Sequence, residues 1–270
     1  MKFDIVSDLH LAHNGKEPIN WRSQKKSDTL VVAGDTSNAV YGLLRFLDEV
    51  SVIYKTVIIT DGNHEHYVRV PMVDTIDSNS LEIATYIKDE FTNVHYLNAS
   101  NFVIIDDVAF AGCNGWYDWK AMEPKYNEYD CKSQWSMSSN DSVCIGFGKY
   151  MTPSIIGKKQ VTELTNVIHS LQTEPTVNKI VVVTHTAPDK DFLFDDNPSL
   201  GRLSASYANS QYSEVIQTDI NKKISCWCFG HTHKRHDTVK DHIRYINNAR
   251  GYPGEKFNTE PWEVKQIDLG

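Results

Sequence analysis

The stretch Trp227-Cys228-Phe229-Gly230-His231-Thr232-His233 runs from apolar residues into a glycine and then two imidazoles, two residues apart. In extended backbone, residues i and i+2 point the same way, so His231 and His233 can address one point, as half of a metal site would require. The same spacing sets Asp8 against His10 after the apolar run that begins at Phe3. Gly34-Asp35 follows Thr29-Leu30-Val31-Val32-Ala33, Asn63 and His64 follow Thr56-Val57-Ile58-Ile59-Thr60, and His185 follows Lys179 to Thr184. Taken singly, each group is equally a solvated loop histidine or a turn-capping aspartate. Taken together, the five stretches supply two carboxylates, one amide oxygen and up to five imidazoles. One ion cannot use them all, but two divalent ions about 3.5–4 Å apart can, if one carboxylate bridges them.

The elements that must hold these residues alternate strand with helix. Phe3 to Ser7, Thr29 to Ala33, Thr56 to Thr60, Lys179 to Thr184 and Ile224 to Phe229 read as strands, several apolar throughout and so buried on both faces. Ala39 to Val52, Ser154 to Leu171 and Gln211 to Ile220 have helical spacing, and a long helix is predicted from about Pro71, tolerable at a helix start, to Phe91. Val94 to Leu97 reads as a strand, and Phe102 to Ile105 and Val108 to Gly112 form a hairpin turning at Asp106-Asp107. His236 to Val239, His242 to Ile246 and Glu263 to Asp268 resemble closing strands. Antiparallel strands within an alternating pattern point to an α/β fold with one mixed sheet or two. Residues 113–152 lose periodicity and concentrate Trp116, Tyr117, Trp119, Tyr126, Tyr129, Trp135 and Tyr150, which reads as a long irregular loop insertion serving as lid or binding loop. Asp189 to Ala208 is also loop-like. With no internal repeat, linker or low-complexity tract, one domain over 1–270 is the simplest organisation.

Composition narrows the partners. A formal charge of −8 argues against a long groove for duplex DNA or an anionic membrane surface, though not against a small anion held by cations. The five cysteines are odd in number and form no C-x-x-C pair, so a reducing cytoplasm is expected, with Cys226 and Cys228 as small buried apolar residues. The acidic N-terminus does not read as a signal peptide, and no stretch approaches the ~20 apolar residues of a membrane helix.

The ordered set DxH, GD, GNHE, H and GHTH resembles the calcineurin-like metallophosphoesterase superfamily over nearly the whole chain. The tail from Asn247 to Glu255 is similar to the ending of small single-domain bacterial and phage members, with Ala249 where those carry proline. The resemblance implies a four-layer αββα sandwich, two mixed β-sheets flanked by helices, with a dimetal site at the strand ends. It implies that Asp8, His10, Asp35 and His233 hold the first metal and Asp35, Asn63, His185 and His231 the second, Asp35 bridging. His64 would overlie the centre without ligating it and protonate the leaving oxygen after attack by a metal-bridging hydroxide. Manganese is the metal expected, with iron, zinc or nickel compatible with the same donors. Asn63, His64 and one of Arg69, Arg202 or Arg250 are the expected phosphate contacts. The remaining histidines, His13, His66, His95, His169, His236 and His242, are expected to be exposed or structural, and Asp61 to shape its turn.

The activity implied is hydrolysis of a small phosphodiester, including linear or cyclic nucleotides, because two dications against Asp8, Asp35 and a hydroxide leave a surplus of about one positive charge, suited to a monoanion. The alternatives are a phosphomonoesterase or protein phosphatase, a nuclease, and a non-catalytic scaffold. Scaffolds typically lack the histidine of the GNH motif, present here as His64, and repair nucleases usually add a capping domain for which this chain has little room.

Overall fold

Strands apolar along their whole length need cover on both faces, and the chain provides it by laying two sheets together and a helical layer on each outer face. The computed structural model describes residues 1–13, 18–69, 75–193 and 200–270. In one sheet β1 (Lys2–Val6), β2 (Thr29–Ala33), β3 (Thr56–Thr60) and β4 (Val94–Tyr96) run parallel, and β11 (Lys265–Asp268) pairs antiparallel with β1 at the edge. The other has the order β5-β6-β7-β8-β10-β9, from β5 (Phe102–Ile105), β6 (Val108–Cys113), β7 (Lys179–Thr184), β8 (Ile224–Phe229), β9 (His236–Lys240) and β10 (Ile243–Asn247). Its four inner strands are parallel, and β5 and β9 close it antiparallel. The expected four-layer arrangement of two mixed sheets is the one found.

Strand periodicity assigns each apolar residue to a layer. Phe3 and Ile5, Val31 and Ala33, Ile58, Val181 and Val183, and Cys226 and Cys228 fill the space between the sheets. Their neighbours Leu30, Val32, Val57 and Ile59 share a core with Trp21 of α1 (Trp21–Gln24) and with α2 (Ala39–Ser51) and α3 (Ile76–Glu90). Ile180, Val182, Trp227 and Phe229 face α6 (Pro153–Thr173) and α7 (Tyr212–Gln217). Cys226 and Cys228 are thus small core residues, as expected, and all five cysteines are free thiols. The helix α6 starts where Thr152 accepts a hydrogen bond from the Ile155 amide and Pro153 occupies the first turn.

One expectation is corrected. Residues 113–152 are not an irregular loop throughout: α4 (Glu128–Ser138) and α5 (Asp141–Cys144) lie within them, and Trp116, Tyr117, Trp119 and Trp135 are buried in the outer core against β6 and β7. The long helix before β4 covers Ile76–Glu90, and its predicted start at Pro71 lies outside the described residues. Of the loop expected from Asp189 to Ala208, residues 194–199 lie outside the description, and its described parts contain short 3₁₀ turns at Lys190–Phe192 and Gly201–Ser206. Among the described residues no helix is long and apolar enough to cross a membrane.

Candidate metal centre

Five parallel strands, β1, β2 and β3 from one sheet and β7 and β8 from the other, end on the same edge of the sandwich and deliver Asp8/His10, Asp35, Asn63/His64, His185 and His231/His233. The residues converge, but not by the route their spacing suggests. Asp8, His10, Asp35, His231 and His233 all have positive φ, of 49°, 44°, 55°, 67° and 54°. After β1, β2 and β8 the chain turns through the left-handed region instead of continuing extended, so His10 and His233 reach the centre by a turn and not by the strand alternation their i, i+2 spacing suggests. Such conformations in non-glycine residues cost free energy and persist only where surroundings enforce them.

The enforcement is visible. The Asp8 and His10 amides donate to the Gly34 and Asp35 carbonyls, both at 3.1 Å, the His231 amide to Asp8 Oδ1 at 2.8 Å, and the His64 amide to Asp35 Oδ1 at 2.9 Å. The buried Glu65 carboxylate accepts from the amides of Asp35 (3.1 Å), Thr36 (2.8 Å) and Gly62 (2.7 Å), locking the loop after β2 to the loop after β3. Close approach demands glycine at two points. A Cβ on Gly62 would stand 2.2 Å from Asp35 Oδ1, and one on Gly34 2.4 Å from His185 Nδ1.

The donors fall into two groups. Asp8, His10, Asp35 and His233 have ligand atoms within 4.8 Å of one another, and so do Asp35, His185 and His231. Asp35 belongs to both, and His231 and His233 fall in different groups. Second partners fix which ring nitrogen faces inward. His185 Nδ1 donates to the Ala33 carbonyl at 2.9 Å, and His233 Nδ1 to Glu255 at 2.8 Å, which turns each Nε2 to the centre. His231 Nε2 is taken by the Ser206 carbonyl at 3.1 Å, leaving Nδ1 as its free donor. Asn63 gives Nδ2 to Asp141 at 2.8 Å and directs Oδ1 to within 3.0 Å of His185 Nε2.

Electrostatics tests whether cations fit. Asp8 Oδ2 is fully buried with no hydrogen-bond donor, a costly state for a carboxylate unless a positive charge faces it. The Nε2 atoms of His10 and His233 stand 2.9 Å apart, close to the separation of about 3.0 Å for two nitrogens on one ion at about 2.1 Å and a right angle. His185 Nε2 faces oxygens of Asn63 and Asp35 at 3.0 and 3.3 Å, so with Nδ1 committed elsewhere the gap calls for a proton or a metal. Burial works against charge on both His185 and Asp35, yet their attraction prevails: His185 is pushed up to about 10, and the charge and hydrogen bond of His185 hold Asp35 well below the usual carboxylate range. Burial holds His10 and His231 well below the usual imidazole value, in the neutral form a ligand needs. The donor set fits two divalent cations.

His64 belongs to neither group. Its Nδ1 donates to Asn38 Oδ1 at 2.7 Å, its Nε2 meets the Tyr252 hydroxyl at 2.9 Å and stands 3.8 Å from Asp35 Oδ2, and Tyr67 lies over its ring at 4.2 Å. It borders a cavity of about 300 Å³ whose wall includes Ser139, Asp141, Leu203, Tyr207, Tyr252 and Glu255. The three arginines expected at the phosphate do not reach this cavity. Arg69 is exposed, Arg202 pairs with Asp130 at 3.9 Å and stacks on Tyr126, and Arg250 stacks on Trp262. Among the described residues the wall contains no Lys or Arg. Of the other histidines, His13, His169 and His242 are exposed, His95 and His236 half-buried, and His66 is buried against Asp61 at 2.5 Å, so Asp61 does more than shape a turn. Asn38, Tyr67, Asp141, Ser206, Tyr252 and Glu255 escaped the sequence reading. For the last two, the tail after Asn247 was the available signal. Ala249 uses its amide to donate to Asn247 Oδ1 at 2.9 Å, a bond that the proline of the resembled ending could not make.

In sequence and in fold the chain is similar to known proteins. The family profile described as calcineurin-like phosphoesterase matches residues 1–235. An uncharacterized protein of Acanthamoeba polyphaga mimivirus, L509, is 26% identical, across 97% of this chain and 95% of its own. Among solved structures, the phosphopantetheinyl hydrolase PptH from Mycobacterium tuberculosis has a TM-score of 0.78 at 20% identity, covering 98% of this chain and 95% of that one. A likeness at that level of identity is a likeness of fold.

Proposed function

The chain belongs to the calcineurin-like phosphoesterase family, and on that premise we propose that it is a dinuclear metal-dependent hydrolase of small phosphodiesters. The observation that carries the reading is the pair of donor groups sharing Asp35. Asp8, His10, Asp35 and His233 would hold one ion, and Asp35, Asn63, His185 and His231 the other, manganese being the metal we favour. When bound, the ions supply Lewis acidity toward the phosphoryl oxygens and an activated water.

The protein's own part is positioning and proton transfer. Second partners hold the ligand rings in one tautomer and orientation, so the centre needs little rearrangement as charge develops. His64 has Nδ1 tied to Asn38, which leaves Nε2 as the atom that exchanges a proton with the leaving oxygen. Two dications against Asp8 and Asp35 leave the centre positive, but the wall around it adds Asp141 and Glu255 and, among the described residues, no Lys or Arg. That balance favours the single charge of a diester over the second charge of a monoester.

The test is a substrate panel with manganese added: an aryl phosphodiester, the matching aryl monoester, linear and cyclic nucleotides, a phosphopantetheinyl ester and plasmid DNA. The expected result is diester hydrolysis at a kcat/KM about 10-fold or more above the monoester, with DNA uncut. A metal-replete protein that hydrolyses nothing would make the chain a scaffold. Faster turnover of the monoester would overturn the diester assignment.

A further inference from the structure

The aromatic-rich segment between β6 and α6 sends one carboxylate to the metal centre. Asp141, at the start of α5, is 3% exposed. Its Oδ1 accepts from Asn63 Nδ2 at 2.8 Å and from the Tyr67 hydroxyl at 2.7 Å, and its Oδ2 accepts from the Tyr117 hydroxyl at 2.7 Å. Tyr117 is held in turn by Trp135 Nε1 at 2.5 Å.

An amide side chain is nearly symmetric in shape, so only its hydrogen bonds decide which end faces a metal. A carboxylate accepts and never donates, so Asp141 takes the NH₂ end of Asn63. The second amide proton goes to the Tyr67 oxygen at 3.2 Å, whose own proton is committed to Asp141. Both N–H groups are thereby used, and Oδ1 must face His185 Nε2.

Resting on the two-ion reading, we infer that Asp141 is the positioning residue for the Asn63 ligand, and that the segment 113–152 completes the site of Asp35, Asn63, His185 and His231. The segment's aromatic packing is then part of the metal centre: Trp135 and Tyr117 fix Asp141, which fixes Asn63.

Manganese titration by calorimetry tests this, with a melting curve for each variant. Asp141→Ala should weaken one of the two metal equivalents about 10- to 100-fold and leave the other unchanged. Asp141→Asn, whose amide oxygen can still accept from Asn63 and Tyr67, should restore most of that affinity. Tyr117→Phe, which removes the hydroxyl that holds Asp141 Oδ2, should weaken the same equivalent by less than Asp141→Ala does and lower the melting temperature. The inference is overturned if folded Asp141→Ala binds both equivalents as tightly as the unsubstituted protein, if both weaken equally, or if Asp141→Asn is as impaired as Asp141→Ala. Failure of the unsubstituted protein to bind two ions would instead remove the reading beneath it.

Discussion

Replacing His64 by alanine separates proton transfer from metal binding. The ring belongs to neither donor group, so both ions should stay. It stands 3.8 Å from Asp35 through Nε2, is held by Asn38 at 2.7 Å, and borders the cavity, which is the placement of a group that reaches a bound ester and not an ion. A positioned general acid contributes roughly 10²- to 10⁴-fold, or about 2.7–5.5 kcal/mol of barrier. That loss should appear in kcat for an alkyl diester, whose leaving oxygen must be protonated. For an aryl diester that departs readily as an anion, the loss should be less than about 10-fold. The assay compares the two substrates at saturating manganese, with metal content measured on the same samples and a melting curve to confirm folding. Unchanged turnover of the alkyl substrate with both ions bound would refute the role given to His64. An equal loss on both substrates would place the residue in binding or in the metal centre.

Gly62→Ala puts a Cβ 2.2 Å from Asp35 Oδ1 and 2.6 Å from its amide, so the shared carboxylate must move. The expected result is weaker binding of both ions and a destabilisation of about 1–3 kcal/mol; melting and metal content equal to the unsubstituted protein would contradict the close packing. In the metal-free protein His185 is pushed up to about 10 by Asp35, despite burial, against about 6.5 when unfolded. A raised value means stabilisation fully present below about pH 6.5 and lost as pH climbs to about 10. The melting temperature in chelator should therefore fall between pH 7 and 10, while manganese affinity rises over the same interval as the ion displaces the proton. Binding with no pH dependence there would show that no proton on His185 is displaced by the ion.

The residues of the centre were legible because strands apolar throughout stop abruptly at metal-competent side chains, a local signal repeated at Asp8, Asp35, Asn63, His185 and His231. Their backbone was not legible. The left-handed turns after β1, β2 and β8 are imposed by bonds between segments far apart in sequence, such as His231 to Asp8, and spacing within one segment cannot report them. The same holds for Glu255 behind His233 and Asp141 behind Asn63. The helix α4 was missed because only Cys131 and Trp135 of its residues are buried, one i, i+4 pair that makes no periodic stripe. Arginine is a fair guess for a phosphate contact from composition alone, but Arg202 and Arg250 spend their guanidinium groups on Tyr126 and Trp262.

The central claim is that two ions share Asp35, and metal stoichiometry tests it most directly. Two manganese ions per chain are expected, one remaining in His10→Ala, one remaining in His231→Ala, and neither held at the original affinity in Asp35→Ala. One ion per chain in the unsubstituted protein, or two retained by a folded Asp35→Ala protein, would contradict it.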